Sequence, residues 1–314
     1  MKWITILFAV LMSITLVSGS YYSFSDQISW WEFDSPASNS TFAPDSTGSN
    51  DGIVTNADNG TTGYFNEGYE FHGANSLNRI DLGNGGFEET MCNNGCSFSM
   101  WIYPKQVNWV GTMMGRFDIA TQYFMVLSFG SSQYNTPAFR IYTDGTATPR
   151  LKAETPDAIA INNWHHVVGV YNGSNTTAGN VKIYVNGILK ATSAETGILN
   201  STAWTVTETL YLGLYDYNKQ IWNGTLDEGK IFTRPITGTE VAELNSCRTP
   251  NNGTGIWEMN GDCTVTGESD STNVTLKATA GTYIADNSEI YLEKAVASGG
   301  KIVATNGGKI IAGT

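Results

Sequence analysis

Few residues in this chain are placed to do chemistry, and the carboxylates come first. A retaining glycosidase needs two carboxyl groups ~5–5.5 Å apart, and alternate positions of one strand deliver such a pair to one face. No E-x-D-x-E or E-x-D-x-x-E pattern occurs. Asp227 and Glu228 are neighbours, so a regular strand points them to opposite faces and keeps them from acting as a pair. Glu32 and Asp34 do have the i, i+2 spacing. His165 and His166 invite a metal or proton-transfer reading, but alternation lets only one of them face any one point. His72, within Y-E-F-H-G, reads as a strand-end residue. Neither a Ser/His/Asp order nor a phosphate-cradling glycine loop is present. The expectation is a protein that is not an enzyme.

Binding chemistry is better represented. Tyr215-Asp216-Tyr217-Asn218, with Trp222 just after and Trp109 in N-W-V-G, could stack on sugar rings while Asp216 and Asn218 meet hydroxyls. The competing reading has Tyr215 and Trp222 capping a core. The loop Asp45-Ser-Thr-Gly-Ser-Asn-Asp51-Gly52 is rich in oxygen donors and kept tight by glycine, which suits a hard cation such as calcium. It lacks the spacing and terminal Glu of an EF-hand, and an Asx-turn loop without an ion is the alternative.

The elements that would carry these loops are short strands. In the stretch from Trp164 to Thr192, Val167, Gly169 and Tyr171 alternate with His166, Val168 and Val170, and Val181, Ile183 and Val185 with Lys182, Tyr184 and Asn186. Asn186-Gly187 between two such runs is a strong hairpin signal, because both central turn positions need positive φ. Comparable runs recur every 8 to 15 residues from Ile28 onward: ISWWEFD, GIVTN, GYEF, RIDLG, SFSMWIY, GTMMGRF, YFMVLSF, AFRIYT, TLYLGLY and GTLDEGKIF. Regular short strands with polar loops predict an all-β, two-sheet antiparallel sandwich, with Trp30, Phe33, Phe71, Trp101, Trp164, Tyr184 and Leu212 inside. Thr237 and Glu240 form a capping box ahead of Val241 and Leu244, which predicts a short helix over 238–246.

After Cys247 the texture changes. A linker over 247–256 leads into strand-sized apolar pairs separated by Gly, Asn and Ser, with G-G-K-I repeated at Gly299 and Gly307. That pattern predicts a small β-rich, β-helix-like segment over 257–314, with a small sandwich or a tail as alternatives.

Four cysteines allow three pairings. Nearest neighbours give Cys92 with Cys96, across the turn sequence Asn93-Asn94-Gly95, and Cys247 with Cys263. C-x3-C without a nearby His is poor zinc spacing. Residues 1–20 read as a secretory signal, with Lys2, an apolar run from Ile4 to Val17 and small residues Ser18-Gly19-Ser20. Eight N-x-S/T sequons, at Asn39, Asn59, Asn172, Asn175, Asn200, Asn223, Asn252 and Asn273, lie in turn-like contexts. A formal charge of −12 without Lys/Arg patches argues against nucleic acid or anionic lipid as partners, and no insertion into a membrane is expected after signal cleavage.

Several motifs fall in one order: W-W-E-F-D (Trp30–Asp34), the Asp45–Gly52 loop, F-H-G (Phe71–Gly73), F-S-M-W-I (Phe98–Ile102), W-H-H-V-V-G-V-Y-N-G, V-K-I-Y-V-N-G and G-T-L-D-E-G-K-I-F-T-R-P-I (Gly224–Ile236). Collinear over residues 28 to 246, they resemble the laminin-G-like jelly rolls of the concanavalin A-like lectin/glucanase superfamily. The resemblance implies a concanavalin A-like jelly roll over 21–246 and a structural calcium held by Asp45, Asp51 and Asp227. It makes His165-His166 framework and puts Glu32 and Asp34 on a first, edge-proximal strand rather than a catalytic one. The function it implies is a secreted or cell-surface adhesion protein that binds a glycan or another surface protein. An accessory carbohydrate-binding module of a larger glycoside hydrolase and a structural spacer in a surface array are the alternatives.

Overall fold

A computed structural model describes residues 26–248 apart from 35–36, 48–49, 74–76, 84–88, 107–109, 118–122, 131–133, 143–149, 175–177, 197–208 and 215–220; from 254 to 312 it describes the backbone of the strands. The sandwich begins with β1 (Gln27–Trp31), β2 (Phe42–Ala43), β3 (Gly52–Thr55), β4 (Asp58–Thr62), β5 (Glu67–His72), β6 (Arg79–Asp81), β7 (Cys96–Pro104) and β8 (Gly111–Phe117). It continues with β9 (Tyr123–Phe129), β10 (Pro137–Tyr142), β11 (Arg150–Glu154), β12 (His165–Tyr171), β13 (Val181–Val185), β14 (Ile188–Thr192), β15 (Leu210–Leu212), β16 (Asn223–Phe232) and the helix α1 (Gly238–Ser246). One sheet runs β14-β13-β12-β7-β16-β5-β4, with β1 also on β16; the other runs β11-β10-β9-β8-β15-β6-β3-β2. This is an antiparallel jelly-roll sandwich. Strands β2, β4 and β11 escape the sequence pattern: two residues are too few to alternate, and D-N-G-T-T and R-L-K-A-E carry almost no apolar signal.

Between the sheets lies one core, built from inward residues such as Trp31, Phe33, Phe71, Phe98, Ile102, Phe139, Val167 and Leu212. Burying each large side chain is worth roughly 1.5–3 kcal/mol, so strict alternation on both inner faces holds the sandwich together. The β7–β12 register shows the alternation directly: Val167 faces Met100 and Gly169 faces Phe98 on the core side, while His166 faces Trp101 and Val168 faces Ser99 on the other.

The seven residues expected inside divide between those faces. Phe33, Phe71 and Leu212 join the inter-sheet core. Trp30, Trp101 and Tyr184 are buried on the outer face of the first sheet, and Trp164 beside them is only partly buried. The outer face is itself covered, at one end by α1: Val168, Val170, Tyr184, Phe232, Ile236, Val241 and Leu244 form a second apolar cluster. The helix spans the predicted residues, and its capping box is in place. Thr237 Oγ1 accepts from the Glu240 amide at 3.2 Å, and Glu240 Oε2 accepts from the Thr237 amide at 2.7 Å.

Cys92 and Cys96 are joined in a disulfide just before β7. The side chains of Cys247 and Cys263, the signal residues 1–20 and the sequons at Asn175, Asn200 and Asn252 lie outside the described residues. Past α1, β17 (Cys247–Arg248) pairs antiparallel with β18 (Thr254–Asn260). Next come β19 (Cys263–Thr266), β20 (Ser269–Ala280), β21 (Thr282–Asp286), β22 (Glu289–Ala297), β23 (Lys301–Thr305) and β24 (Lys309–Ala312). Here pairing is parallel, in the orders β18-β20-β22-β24 and β19-β21-β23. Among the described residues no helix is long and apolar enough to cross a membrane.

Candidate functional site

The outer face of the first sheet has three zones, set by what lies over each. Its α1 end is apolar and closed. Its middle is polar and still buried: Ser99, His166, Asp227, Glu228 and Lys230 each have less than a tenth of their surface exposed. A β-bulge builds this middle. Glu228 takes φ 53°, and the β7–β16 register shifts between Asp227 and Lys230. The extra residue puts two neighbours on one face, against the alternation expected from sequence. Glu228 Oε2 accepts from Trp30 Nε1 at 2.8 Å and from Lys230 Nζ at 2.6 Å, and Lys230 Nζ lies 4.4 Å from the centroid of the Trp30 ring. Asp227 Oδ1 accepts from the Glu228 amide, and Oδ2 from the Phe65 amide at 3.0 Å.

Beside this bulge Ser99 Oγ and His166 Nε2 are 2.7 Å apart. That contact resembles half of a nucleophile–base pair, but the environment argues for packing. His166 Nδ1 has no hydrogen-bond partner among the described residues, so nothing there orients the ring as a third catalytic member would. Burial pushes the imidazole down to about 3, with the positive charge of Lys230 as the second cause, so the ring is neutral at ordinary pH. His165 is also framework. Its Nε2 meets the Ala160 carbonyl at 2.9 Å, its Nδ1 lies 3.3 Å from Asn186 Nδ2, and burial lowers its pKa.

A turn between β4 and β5 folds over the next part of the face. The space is made by glycine: a Cβ on Gly68 would come within 2.8 Å of the Leu226 carbonyl, and one on Gly63 within 2.5 Å of the Glu67 carbonyl. Asp227 fastens the turn at Phe65, and Asp34 fastens it through the Glu67 amide at 3.1 Å and Asn66 Nδ2 at 3.3 Å. Asp34, weighed above as half of a carboxylate pair, is therefore a turn anchor. The turn lays Tyr64 flat on Trp101, with centroids 3.3 Å apart and planes 9° apart, and Trp101 is stacked in turn on His166.

Beyond Trp101 the face opens. One row of register partners crosses the strands: Tyr103 opposite Thr225, Thr225 opposite Glu70, Glu70 opposite Asp58. Trp164, one residue before β12, extends the row at the aromatic end, its ring 5.4 Å from Tyr103 and 6.1 Å from Tyr64. Both neighbours are inclined to Trp164, by 56° and 67°, so neither lies flat on it. The next row holds Asn223, opposite His72, with Lys105 donating its amide to the Asn223 carbonyl. Lys105 Nζ meets Glu70 Oε1 at 2.5 Å, His72 Nε2 meets Asp58 Oδ2 at 2.9 Å, and Asn223 Nδ2 donates to Gln106 at 2.7 Å. An aromatic end and an end of hydroxyl-bonding groups thus share one strip, partly open at both ends and joined through the buried Thr225, the composition of a small-molecule platform.

Residues 78–242 match the laminin-G model of the concanavalin A-like lectin/glucanases superfamily, more than half of the chain. The chain belongs to this superfamily. No curated protein matches it by sequence. Among solved structures of the superfamily's sandwich shape, domain 4 of AbnA, a GH43 extracellular arabinanase from Geobacillus stearothermophilus in complex with arabinotriose, aligns over 70% of this chain and 98% of its own. The identity is 20% and the TM-score 0.50. Trypanosoma rangeli sialidase in complex with sialic acid aligns over 71% of this chain at 14% identity and TM-score 0.52, and the binding domain of botulinum neurotoxin DC in complex with rat synaptotagmin II over 70% at 15% and 0.52. The aligned part is 33% of the sialidase chain and 51% of the neurotoxin chain. At these identities the likeness is one of fold.

The superfamily's calcium set, carried onto Asp45, Asp51 and Asp227, is not assembled. The described residues contain no group of three His, Cys, Asp or Glu that could hold a metal ion. Asp45 Oδ1 accepts from the amides of Trp30 and Thr47 and the Thr47 hydroxyl, Oδ2 accepts from the Asn50 amide, and Asp51 Oδ1 accepts from the Asp45 amide. Both oxygens of Asp45 and both of Asp227 accept from N–H or O–H donors, and Asp51 Oδ1 accepts from one, so as placed these carboxylates hold turns rather than a cation. Asp227 serves the β4–β5 turn instead. Thermal melts in calcium and in excess chelator are expected to coincide; saturated binding would separate them by about 2.7 kcal/mol of stability at a hundred times the dissociation constant.

Of the aromatics expected to bind sugar, Trp222 is fully buried, edge-on to Phe129 in the inter-sheet core at 5.4 Å between centroids. It caps the sandwich and is no ligand platform. Trp109, Tyr215, Asp216, Tyr217 and Asn218 lie outside the described residues. Trp164 and Tyr103 stand on this outer face rather than in the inter-sheet core, and parity held the signal: Trp164 has the same parity as His166, which alternates away from Val167 and the core.

Proposed function

We propose that this protein is a non-catalytic, extracellular carbohydrate-binding protein. The observation that carries the reading is the partly open strip in which Trp164, Tyr103 and Tyr64 adjoin Glu70, Asn223, His72 and Lys105. Flat aromatic surface accepts the apolar face of a sugar ring, and fixed polar groups beside it select its hydroxyls. The arabinotriose complex of AbnA domain 4 supports a sugar over a protein as the first partner to test. That domain is part of an extracellular enzyme, which favours the second reading: an accessory binding module.

The non-catalytic part of the reading is supported by the adjacent carboxylates. Asp227 and Glu228 are buried and engaged with Phe65, Trp30 and Lys230 rather than open to a substrate. Residues 1–20 direct secretion in this reading, and the parallel-paired strands after residue 254 are the rungs of a small solenoid.

On an immobilised glycan array the protein is expected to give hits that weaken at least tenfold, about 1.4 kcal/mol, in Trp164→Ala and in Tyr103→Ala. A blank array, or hits untouched by both substitutions together, would refute the reading.

A further inference from the structure

Charge along the strip narrows the ligand further. Of its charged groups, Lys105 is tied to Glu70 at 2.5 Å and His72 to Asp58 at 2.9 Å. Asp58 is the most open of these four, its side chain 68% exposed, and Asp34 and Glu67 lie at the turn that carries Tyr64. Lys230, one zone away, is buried against Glu228. A sugar carboxylate or sulfate entering the strip would meet carboxylates and would have to take Lys105 from Glu70. A hydroxyl can accept from Lys105 or donate to Glu70 and Asp58 without disturbing the pair.

Direction follows from the register. Trp164, Tyr103, Thr225, Glu70 and Asp58 form a row perpendicular to the strands, four inter-strand steps of ~4.8 Å or roughly 19 Å long. With Thr225 buried between them, the two partly open ends lie far enough apart to be met by a chain of sugars rather than by one ring. The aromatic end can take one ring by stacking while the polar end bonds a later unit.

Resting on the reading of this strip as a glycan site, we propose that it takes an uncharged oligosaccharide laid across the strands and rejects sialylated, uronic and sulfated chains. The test is calorimetry on the full chain from a host without N-glycosylation, because Asn223 in the strip begins a sequon. Neutral gluco-, xylo-, manno-, galacto- and arabino-oligosaccharides would be compared with sialyl-lactose, oligogalacturonate and dextran sulfate. A neutral chain is expected to bind at least tenfold more tightly than any charged one. A tetramer should exceed its dimer, and Glu70→Ala with His72→Ala should remove that length advantage while Trp164→Ala weakens both lengths. Asp58→Lys should narrow the gap between neutral and acidic chains. If a charged chain binds as tightly as a neutral one, and loses binding in Trp164→Ala, the neutral-ligand inference falls while the glycan reading stands. Should the tetramer bind no better than the dimer, the crosswise placement is wrong. Binding that ignores Trp164→Ala, or none at all, removes the strip as a glycan site and the inference with it.

Discussion

Lys230→Met is expected to destabilise the protein by about 3–5 kcal/mol, the cost of removing one partner from a buried charge pair. Glu228 is 1% exposed, and Lys230 Nζ lies 2.6 Å from its Oε2. Methionine fills the volume of the lysine stem, so the loss is chiefly electrostatic. The Trp30 indole N–H still donates to Glu228, but one neutral donor does not replace an ammonium in a site closed to water. The diagnostic measurement is a double-mutant cycle by urea denaturation. Glu228→Gln removes the charge that Lys230 neutralises, so the double variant should be less destabilised than the two single losses added together. Additive losses, or a Lys230→Met cost below about 1 kcal/mol, would show that the pair behaves as a solvated surface bridge.

How this pair arises also shows what the sequence could and could not convey. The order of strands, the Asn186-Gly187 hairpin and α1 with its capping box were legible because each is a local signal: a period, a turn dipeptide, a cap. The Asp227–Glu228 geometry was not. Alternation gives opposite faces, and the structure puts both carboxylates on one face because Glu228 is left-handed within a bulge. Nothing in G-T-L-D-E-G-K marks a non-glycine residue for that conformation. Burial misled in a similar way. A period of two tells which residues share a face but not what covers the face, and here α1 and the 63–66 turn cover most of the side turned away from the core. Trp30 and Trp101 are therefore buried without entering the inter-sheet core, and Trp164, at the uncovered end, stays partly exposed. The contact between Tyr64 and Trp101 joins residues far apart in the chain, and only the fold could reveal it.

Acid should expose the same polar zone. His166 is fully buried, with its pKa pushed down to about 3 by desolvation first and the Lys230 charge second. The folded value lies below the unfolded one of ~6.5, so the unfolded chain binds the proton that the folded protein refuses. The stability this neutral ring contributes is whole above pH ~6.5 and is lost progressively as pH falls toward 3, by up to about 5 kcal/mol. Wild type is therefore expected to lose stability steeply between pH 6.5 and 4. His166→Gln keeps a partner for Ser99 but cannot take up the proton, so it should start less stable at pH 7 and show a much flatter profile. Glu240, where burial pushes the pKa up but the bonds from Arg234 and Thr237 together outweigh it and hold it low, adds its own acid loss as pH falls through its folded value. That contribution is common to both proteins and cancels in their difference. Lys230→Met couples the two predictions: with the cation gone, protonating His166 costs less, so the variant should lose less between pH 6.5 and 4 than wild type although it is weaker at pH 7. Parallel profiles for wild type and His166→Gln would mean that His166 takes up its proton in the folded state, and that the polar zone is open to water.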